Sequence, residues 1–307
     1  MNPDTDHDFP GAVTCCGINN RGVALINDKV VSHTLDGRLI VTNKETGEIE
    51  QEVQLADASV SEVITAAPLI VKDTVLTGVA GAEYGIRGWL HSTNLADGSK
   101  NWRTYTIPAP DEPGGDTWKQ APESHSKDAW MHGGGSTWVV GSYDPDLDVI
   151  YWGVGNPGPD WDNEYRPGDN LYSNSVLALD ADSGKIKWYF QYTPNDPYDF
   201  DGVNEQTLVD AKIFGKKTKA VLHADRNGFA YALDRESGKF LWGTPFVKKL
   251  DWTAGLDKYT GRPLDYDPNK DVQRYVPSTS GFRAQPEGCL LYTSDAADDS
   301  LRVDLGG

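Results

Sequence analysis

The chain has 307 residues, with 32 glycines, 10 tryptophans and only 2 methionines, and its formal net charge is −18. A charge this negative argues against nucleic acid as a partner, and no apolar run reaches the length of a transmembrane helix. Abundant glycine and aromatic residues between short apolar runs favour an all-β fold.

Two adjacent cysteines, Cys15 and Cys16, follow a polar and acidic first segment that lacks the pattern of a signal peptide. Such a pair has two interpretations. The cysteines are either two small buried residues or the halves of a vicinal disulfide, which needs a strained ring and an oxidising compartment. These residues alone leave both interpretations open.

A nine-residue pattern recurs along the chain, with Asp or Asn first, Gly four residues later and Trp eight residues later. Copies begin at Asn94, Asp180 and Asp234, and a weaker copy at Asn43 has Gln51 in place of the Trp. The spacings of 51, 86 and 54 residues between these starts suit four-stranded propeller blades. The longest spacing requires a large insertion.

Each copy follows a β-rich run, and its Asp or Asn start and left-handed Gly predict a tight hairpin turn between two strands. We expect Trp102, Trp188 and Trp242 to pack across to the next blade as structural residues. The insertion, residues 108–135, is rich in Pro, Gly, Asp and Ser. A long loop on a rigid scaffold is a common place for functional residues.

The last residues, 288–307, continue no repeat and resemble translated adapter sequence at the end of a metagenomic gene fragment. We exclude them from the fold, as one would a cloning scar, and assign no role to Cys289. We therefore expect a partial propeller over residues 1–287.

Six short motifs occur in the order in which they occur in PQQ-dependent methanol and ethanol dehydrogenases, and the chain resembles this family from residue 13 to about residue 280. Each motif alone is weak, and their order is the stronger signal. They are residues 15–22 (vicinal disulfide), 78–88 (metal ligand), 133–138 (cofactor-stacking indole), 153–157 (metal-binding Asn), 198–204 (catalytic Asp) and 225–228 (quinone-facing Arg). The resemblance implies an eight-bladed β-propeller, of which this chain covers roughly half.

The resemblance also implies a site for pyrroloquinoline quinone (PQQ), a flat quinone with three acid groups. A disulfide between Cys15 and Cys16 would cover one face of the cofactor, and the Trp138 indole would cover the other. Cationic and N–H groups suit its acids. The further implied contacts are Arg21, Thr65, Gly81, Ala82, Ser136 and Arg226.

The metal ligands implied by the resemblance are oxygen donors, which hard cations prefer. They are Glu83, Asn156, Asp199 and Asp201, with Asp199 also the general base and Glu83 the alternative base. Calcium-type members generally have a small residue at the position of Asp201, and lanthanide-type members have Asp. Three carboxylates repel one another unless a strong cation lies between them, which favours lanthanide(III) over Ca²⁺. The alternative for Asp201 is a turn cap in the run 200–202.

The implied function is the oxidation of a primary alcohol to the aldehyde in the periplasm, with electrons passed to a cytochrome c; a homodimer is left open. Two rivals remain. One is a calcium-dependent quinoprotein alcohol or sugar dehydrogenase. The other is a non-catalytic propeller scaffold, which gives no reason for Glu83, Asn156 and Asp199 to occur together with the cysteine pair.

Overall fold

The computed structural model describes residues 14–15, 17–119, 128–248, 250 and 252–265. Within these residues, sixteen strands form four antiparallel four-stranded sheets, each a simple meander. The all-β prediction is confirmed. Residues 266–307, which include the predicted tail and Cys289, lie outside the described part of the chain.

The strands follow one another in chain order within each sheet. The first sheet contains β1 (Ala24–Ile26), β2 (Lys29–His33), β3 (Arg38–Asn43) and β4 (Ile49–Gln54). The second contains β5 (Leu69–Val71), β6 (Thr74–Gly78), β7 (Trp89–Asn94) and β8 (Lys100–Tyr105). The third contains β9 (Ser142–Asp144), β10 (Val149–Val154), β11 (Ser175–Asp180) and β12 (Ile186–Gln191). The fourth contains β13 (Thr207–Ile213), β14 (Lys216–Ala224), β15 (Phe229–Asp234) and β16 (Phe240–Pro245).

The predicted repeat turns join the third and fourth strands of every sheet. Each begins at the last residue of a third strand, and its glycine has a positive φ of 68–76°. In each turn the glycine N–H donates to the carbonyl oxygen of the first residue, for example Gly98 to Asn94 at 2.9 Å. A left-handed residue is required at this position, which explains the glycine.

The hydrophobic core lies in three layers between consecutive sheets. Strand β10 is buried along its whole length because alternate side chains enter different layers. Its residues Ile150 and Trp152 pack toward the second sheet, whereas Val149 and Tyr151 pack toward the fourth.

Tryptophans of one sheet pack on turn glycines of the next, as the repeat predicts. A Cβ added to Gly184 would come within 2.4 Å of the Trp102 indole, and one added to Gly238 within 2.5 Å of Trp188. Gln51 takes the equivalent place beside Gly98. Trp242 is half-buried, and its ring is not among the nearest contacts of the described turn glycines.

Two long connections lie next to or within the third sheet. The first, residues 106–141, joins the second sheet to the third and includes the predicted insertion, of which 120–127 lie outside the described residues. The second, residues 155–174 between β10 and β11, was not predicted. The helices of the described part are 3-10 turns (Ala58–Val60, Ala82–Tyr84, Gly115–Thr117 and Ala129–His132), and none has the length or apolar character to cross a membrane.

Candidate active site

Three loop segments lie side by side and are joined by backbone hydrogen bonds. They are residues 78–88, 133–138 and 153–158. The Thr137 N–H donates to the Val79 carbonyl oxygen at 2.8 Å, and the Gly155 N–H donates to that of Ser136 at 2.7 Å. The segments carry the site residues that were predicted beside the second and third sheets. The hydrogen bonds between the segments fix the relative positions of these residues.

A fourth segment, residues 199–202, packs on the third. The Gly202 N–H donates to the Val154 carbonyl oxygen at 3.2 Å. A Cβ added to Gly153 would lie only 2.5 Å from the Gly202 carbonyl oxygen, so the close approach of the two backbones requires glycine at this position. Asp199 and Asp201 are thereby brought to the segment that carries Asn156.

The carboxylate of Asp201 is the centre of the site. Its Oδ1 accepts a 2.8 Å hydrogen bond from the Asn156 backbone N–H, and its Oδ2 accepts one of 3.0 Å from Arg226 Nη1. The Trp138 side chain lies beside this carboxylate and opposes the rise of its pKa. Four sequence-predicted residues therefore meet at one buried group.

The other acids around Asp201 are less buried than Asp201 itself, with Asp160 and Asp199 half-buried and Glu83 exposed, and their charges interact. Partial loss of solvent around Glu83, with the nearby carboxylates of Asp201 and Asp160, raises the pKa of Glu83 to about 7. Burial and the Asp201 carboxylate raise the pKa of Asp199 to about 9, although Arg226 opposes the shift. Burial likewise raises the pKa of both Asp160 and Asp201. The four acids thus hold more negative charge than Arg226 alone balances.

The loop that carries Asp199 and Asp201 has an unusual backbone. Both residues have a φ of 58°, the left-handed region that non-glycine residues seldom adopt. The buried carboxylate of Asp196 supports this conformation, since its Oδ2 accepts from the N–H groups of Phe200 at 2.7 Å and Asp201 at 3.3 Å. Asp196 was not predicted from the sequence.

A fully buried arginine, Arg166, joins the two loops that hold these acids. Its Nη2 donates to the carbonyl oxygens of Asp160 at 3.0 Å and Asp196 at 2.7 Å, and its Nε donates to that of Pro159 at 2.9 Å. Nη1 donates to the side chain of Asn170 at 3.0 Å. Arg166 was also missed, because no motif or periodicity marks it.

The predicted metal ligands are near one another but are not drawn onto a single point. Within the described residues, no three His, Cys, Asp or Glu side chains form a ready-made set of metal ligands. The donor set still fits a hard cation, because crowded carboxylates with raised pKa values are stabilised by a positive charge. Asp160, which accepts a hydrogen bond from Asn156 Nδ2, is a fourth acid that the sequence argument did not include.

The predicted cofactor residues lie beside this cluster. The Arg21 guanidinium lies over the Trp138 ring, 4.6 Å from its centroid, and the Arg21 backbone N–H donates to the Thr65 carbonyl oxygen at 3.1 Å. Thr65 and Ser136 are buried. A flat group thus already rests on one face of the indole that the prediction assigns to a flat, acidic cofactor.

The remaining predicted cofactor residues lie at two other places. Gly81 precedes the 3-10 turn that begins at the buried Ala82, and an added Cβ there would meet the Ser61 carbonyl oxygen at 2.0 Å. Cys15 takes part in a disulfide bond. Cys16 lies outside the described residues, so the pairing of the two cysteines stays a prediction.

Comparisons with known proteins agree with this geometry. Residues 4–248 match the family model of the glucose/ethanol/alcohol dehydrogenase β-propeller domain that carries the name PQQ. The chain is 44% identical over 265 residues to the quinoprotein alcohol dehydrogenase PedH of Pseudomonas putida, a match that covers 83% of this chain and 44% of that protein. It is 39% identical over 292 residues to the lanthanide-dependent methanol dehydrogenase of Methylacidiphilum fumariolicum, covering 89% and 47%.

Among solved structures, a europium-containing methanol dehydrogenase superposes with a TM-score of 0.80 at 38% identity, over 85% of this chain and 47% of that one. This likeness confirms the propeller prediction. The chain spans about half the length of the relatives it matches. It belongs to the family of PQQ-dependent alcohol dehydrogenases with a β-propeller fold, which includes lanthanide-dependent enzymes.

Proposed function

We propose that this chain is the PQQ- and metal-binding part of an enzyme that oxidises a primary alcohol to the aldehyde. The observation that carries the proposal is the cluster of Glu83, Asp160 and Asp199 around the buried Asp201, beside Arg226 and Trp138. A scaffold without a ligand has no use for four acids crowded at one place with raised pKa values, because such charges destabilise a fold unless a cation balances them.

The cofactor would lie against Trp138, with the disulfide that we propose between Cys15 and Cys16 on its other face. The Arg21 guanidinium lies over the Trp138 ring, so it would move off the ring where the cofactor stacks and would then be close enough to pair with an acid group of the cofactor. The remaining contacts would come from Thr65, Gly81, Ala82, Ser136 and Arg226. Bound PQQ would supply a quinone that accepts hydride from the alcohol carbon.

The proton of the substrate hydroxyl would be taken by Asp199. A carboxyl group with a pKa of about 9 holds its own proton at neutral pH, so Asp199 acts as a base only when a cation at the site lowers that pKa. Glu83, with a pKa of about 7, is ionised to a larger extent and remains the alternative base.

The cation would be held by Glu83, Asn156, Asp199 and Asp201, and it would also polarise the cofactor. Three of these ligands, Glu83, Asp199 and Asp201, are carboxylates, and a trivalent lanthanide ion compensates three crowded carboxylates better than Ca²⁺ does. The alternative is a calcium-dependent quinoprotein alcohol or sugar dehydrogenase.

The test is reconstitution of the metal-free protein that contains this chain with PQQ plus either lanthanum or calcium, followed by dye-linked alcohol oxidation and measurement of bound metal. We expect turnover and stoichiometric metal with lanthanum. Turnover with calcium only would establish the alternative. A protein that binds neither PQQ nor metal would leave the scaffold interpretation.

Electrons would leave to a periplasmic cytochrome c, and the net charge of −18 suits a basic partner. Reduction of a basic cytochrome c should therefore slow as ionic strength rises. Export to an oxidising compartment would also allow the disulfide. Mass spectrometry of active enzyme, alkylated with and without prior reduction, tests the disulfide; two free thiols at Cys15 and Cys16 in active enzyme would contradict it.

A further inference from the structure

An acid outside the predicted ligand set, Asp160, contacts the side chain of a predicted ligand. Its Oδ1 lies 2.5 Å from Asn156 Nδ2. Both side-chain hydrogen bonds that Asn156 makes within the described residues are donated by this nitrogen, the second one to the Pro157 carbonyl oxygen at 3.4 Å. The amide oxygen is therefore the atom left for another partner.

We propose that Asp160 is a positioning residue that turns the Asn156 amide so that its oxygen, and not its nitrogen, is offered to a bound cation. The inference rests on the proposed function, because it assumes a cation near Asn156. A metal ligand must present a lone pair, and only the amide oxygen has one available. An amide turned the other way would present N–H groups to the cation.

The oxygen and nitrogen ends of an amide have nearly the same size, so packing alone does not determine which way the amide points. For Asn156 the hydrogen-bond partners determine it. A reversed amide would place Oδ1 against the oxygens of both Asp160 and Pro157, and the Pro157 carbonyl has no hydrogen to donate. The carboxyl of Asp160 retains an accepting oxygen in either protonation state.

The backbone of Asp160 is itself held in place by hydrogen bonds. Arg166 donates to the carbonyl oxygens of Asp160 and of the preceding Pro159, and its guanidinium is fully buried. The loop therefore cannot move Asp160 away from Asn156 without breaking buried hydrogen bonds. Groups that orient metal ligands in this way commonly affect metal affinity about 10- to 100-fold when removed.

The experiment is a double-mutant cycle on the protein that contains this chain, with terbium(III) as the probe, read through luminescence sensitised by tryptophan. The Trp138 side chain lies beside the Asp201 carboxylate, so it lies close enough to excite a bound ion. We expect Asp160→Ala to weaken terbium binding at least about 10-fold. Asp160→Asn, which keeps an accepting oxygen, should recover most of the loss, and Asp160→Leu repeats the removal at similar volume if the Ala variant does not fold.

The cycle separates positioning from a direct or electrostatic role. In an Asn156→Ala background, Asp160→Ala should change the affinity less than about 2-fold, because the group it orients is gone. Asp162→Ala is the matched control, since this exposed acid of the same loop accepts only from the backbone N–H of Tyr165 among the contacts described.

Three results would overturn the inference. The inference would be wrong if Asp160→Ala bound terbium as tightly as the wild type. It would also be wrong if Asp160→Ala lost the same affinity in the wild type and in the Asn156→Ala background. In either case the metal site itself would stand. A wild-type chain that does not bind terbium would overturn the proposed metal site, and this inference with it.

Discussion

Asp201 and Arg226 form a buried ion pair: Asp201 Oδ2 lies 3.0 Å from Arg226 Nη1, and only 6% and 10% of the two side chains are exposed. The pair joins segments 25 residues apart, and the other oxygen of Asp201 reaches the backbone of Asn156, 45 residues away. Asp201 therefore links separate segments. The turn-cap alternative describes a local role, whereas these contacts are long-range.

The first prediction follows from this pair. Asp201→Asn should fold, because an amide still offers an oxygen to Arg226 or to Asn156, and it should bind terbium(III) at least about 10-fold more weakly because one carboxylate is lost. Asp201→Ala should instead be destabilised by about 3–5 kcal/mol, since it leaves the arginine without its buried partner. Luminescence titration and urea unfolding measure the two effects. Unchanged terbium affinity in Asp201→Asn would exclude Asp201 as a ligand.

The second prediction concerns pH and metal removal. In the metal-free chain, Glu83 and Asp199 keep protons up to pH values of about 7 and about 9, whereas in the unfolded chain they release them near their ordinary pKa values of 4.5 and 3.8. The folded state then binds more protons than the unfolded state, so its stability falls as pH rises through this window.

Urea midpoints measured in EDTA between pH 5 and pH 9 test the sign of this effect, within the range set by the two pKa values. Glu83→Gln should flatten the fall between pH 5 and pH 7, where Glu83 titrates. Lanthanum added at neutral pH should release at least about one proton per ion, detectable in a weakly buffered titration. A metal-free chain whose stability rises over the whole range would contradict the raised pKa values of these acids.

The third prediction concerns the buried arginine. Arg166→Met should lower the free energy of unfolding by at least about 3 kcal/mol, because it removes the donors of the buried Asp196 carbonyl oxygen, of two partly buried carbonyl oxygens and of the buried Asn170 side chain. It should also weaken terbium binding, since the loops that carry Asp160 and Asp196 lose their common donor. Arg262→Met is the control: this half-exposed arginine pairs with Asp169 at the surface, and its loss should cost less than about 1 kcal/mol. Equal costs for the two variants would show that Arg166 does not join the loops.

The fourth prediction isolates the docking of sheets. Gly184→Ala and Gly47→Ala both add a methyl group at a turn glycine with positive φ, 68° and 75°, so both should cost about 1–2 kcal/mol for the backbone conformation. Only the Gly184 methyl would strike the Trp102 ring, whereas nothing lies within 4 Å of the Gly47 methyl. Gly184→Ala should therefore cost about 1–3 kcal/mol more. Chemical denaturation measures the free energy of unfolding of both variants. Equal losses would show that the contact of Gly184 with Trp102 does not contribute to the packing of the two sheets.

Much of the fold could be predicted because its signals are local. The turns at Asn43, Asn94, Asp180 and Asp234 need a side-chain acceptor first and a left-handed glycine four residues later, and both leave a mark in the sequence. A further turn begins at Asp257, with Gly261 at a φ of 72°. It shares the first half of the pattern but lacks the later Trp, and so it was missed.

The site could be predicted only where a family motif marks it. The positions of Trp138, Asn156, Asp201 and Arg226 came from resemblance, and the structure brings these four residues together. Asp160, Arg166 and Asp196 were missed because their roles depend on how two loops close on each other. No periodicity or spacing in the sequence indicates which carbonyl oxygens a buried arginine will contact.

The acids and the asparagine of the site are contributed by different sheets. Glu83 follows a strand of the second sheet, Asn156 follows one of the third, and Asp201 lies in the connection to the fourth. No single sheet can form this site. An ion that binds this site therefore stabilises the packed sheets relative to the separated sheets. The free energy of ion binding is added to the free energy that holds neighbouring blades together. Occupancy by metal should accordingly slow the parting of neighbouring blades more than it slows fraying within any one of them.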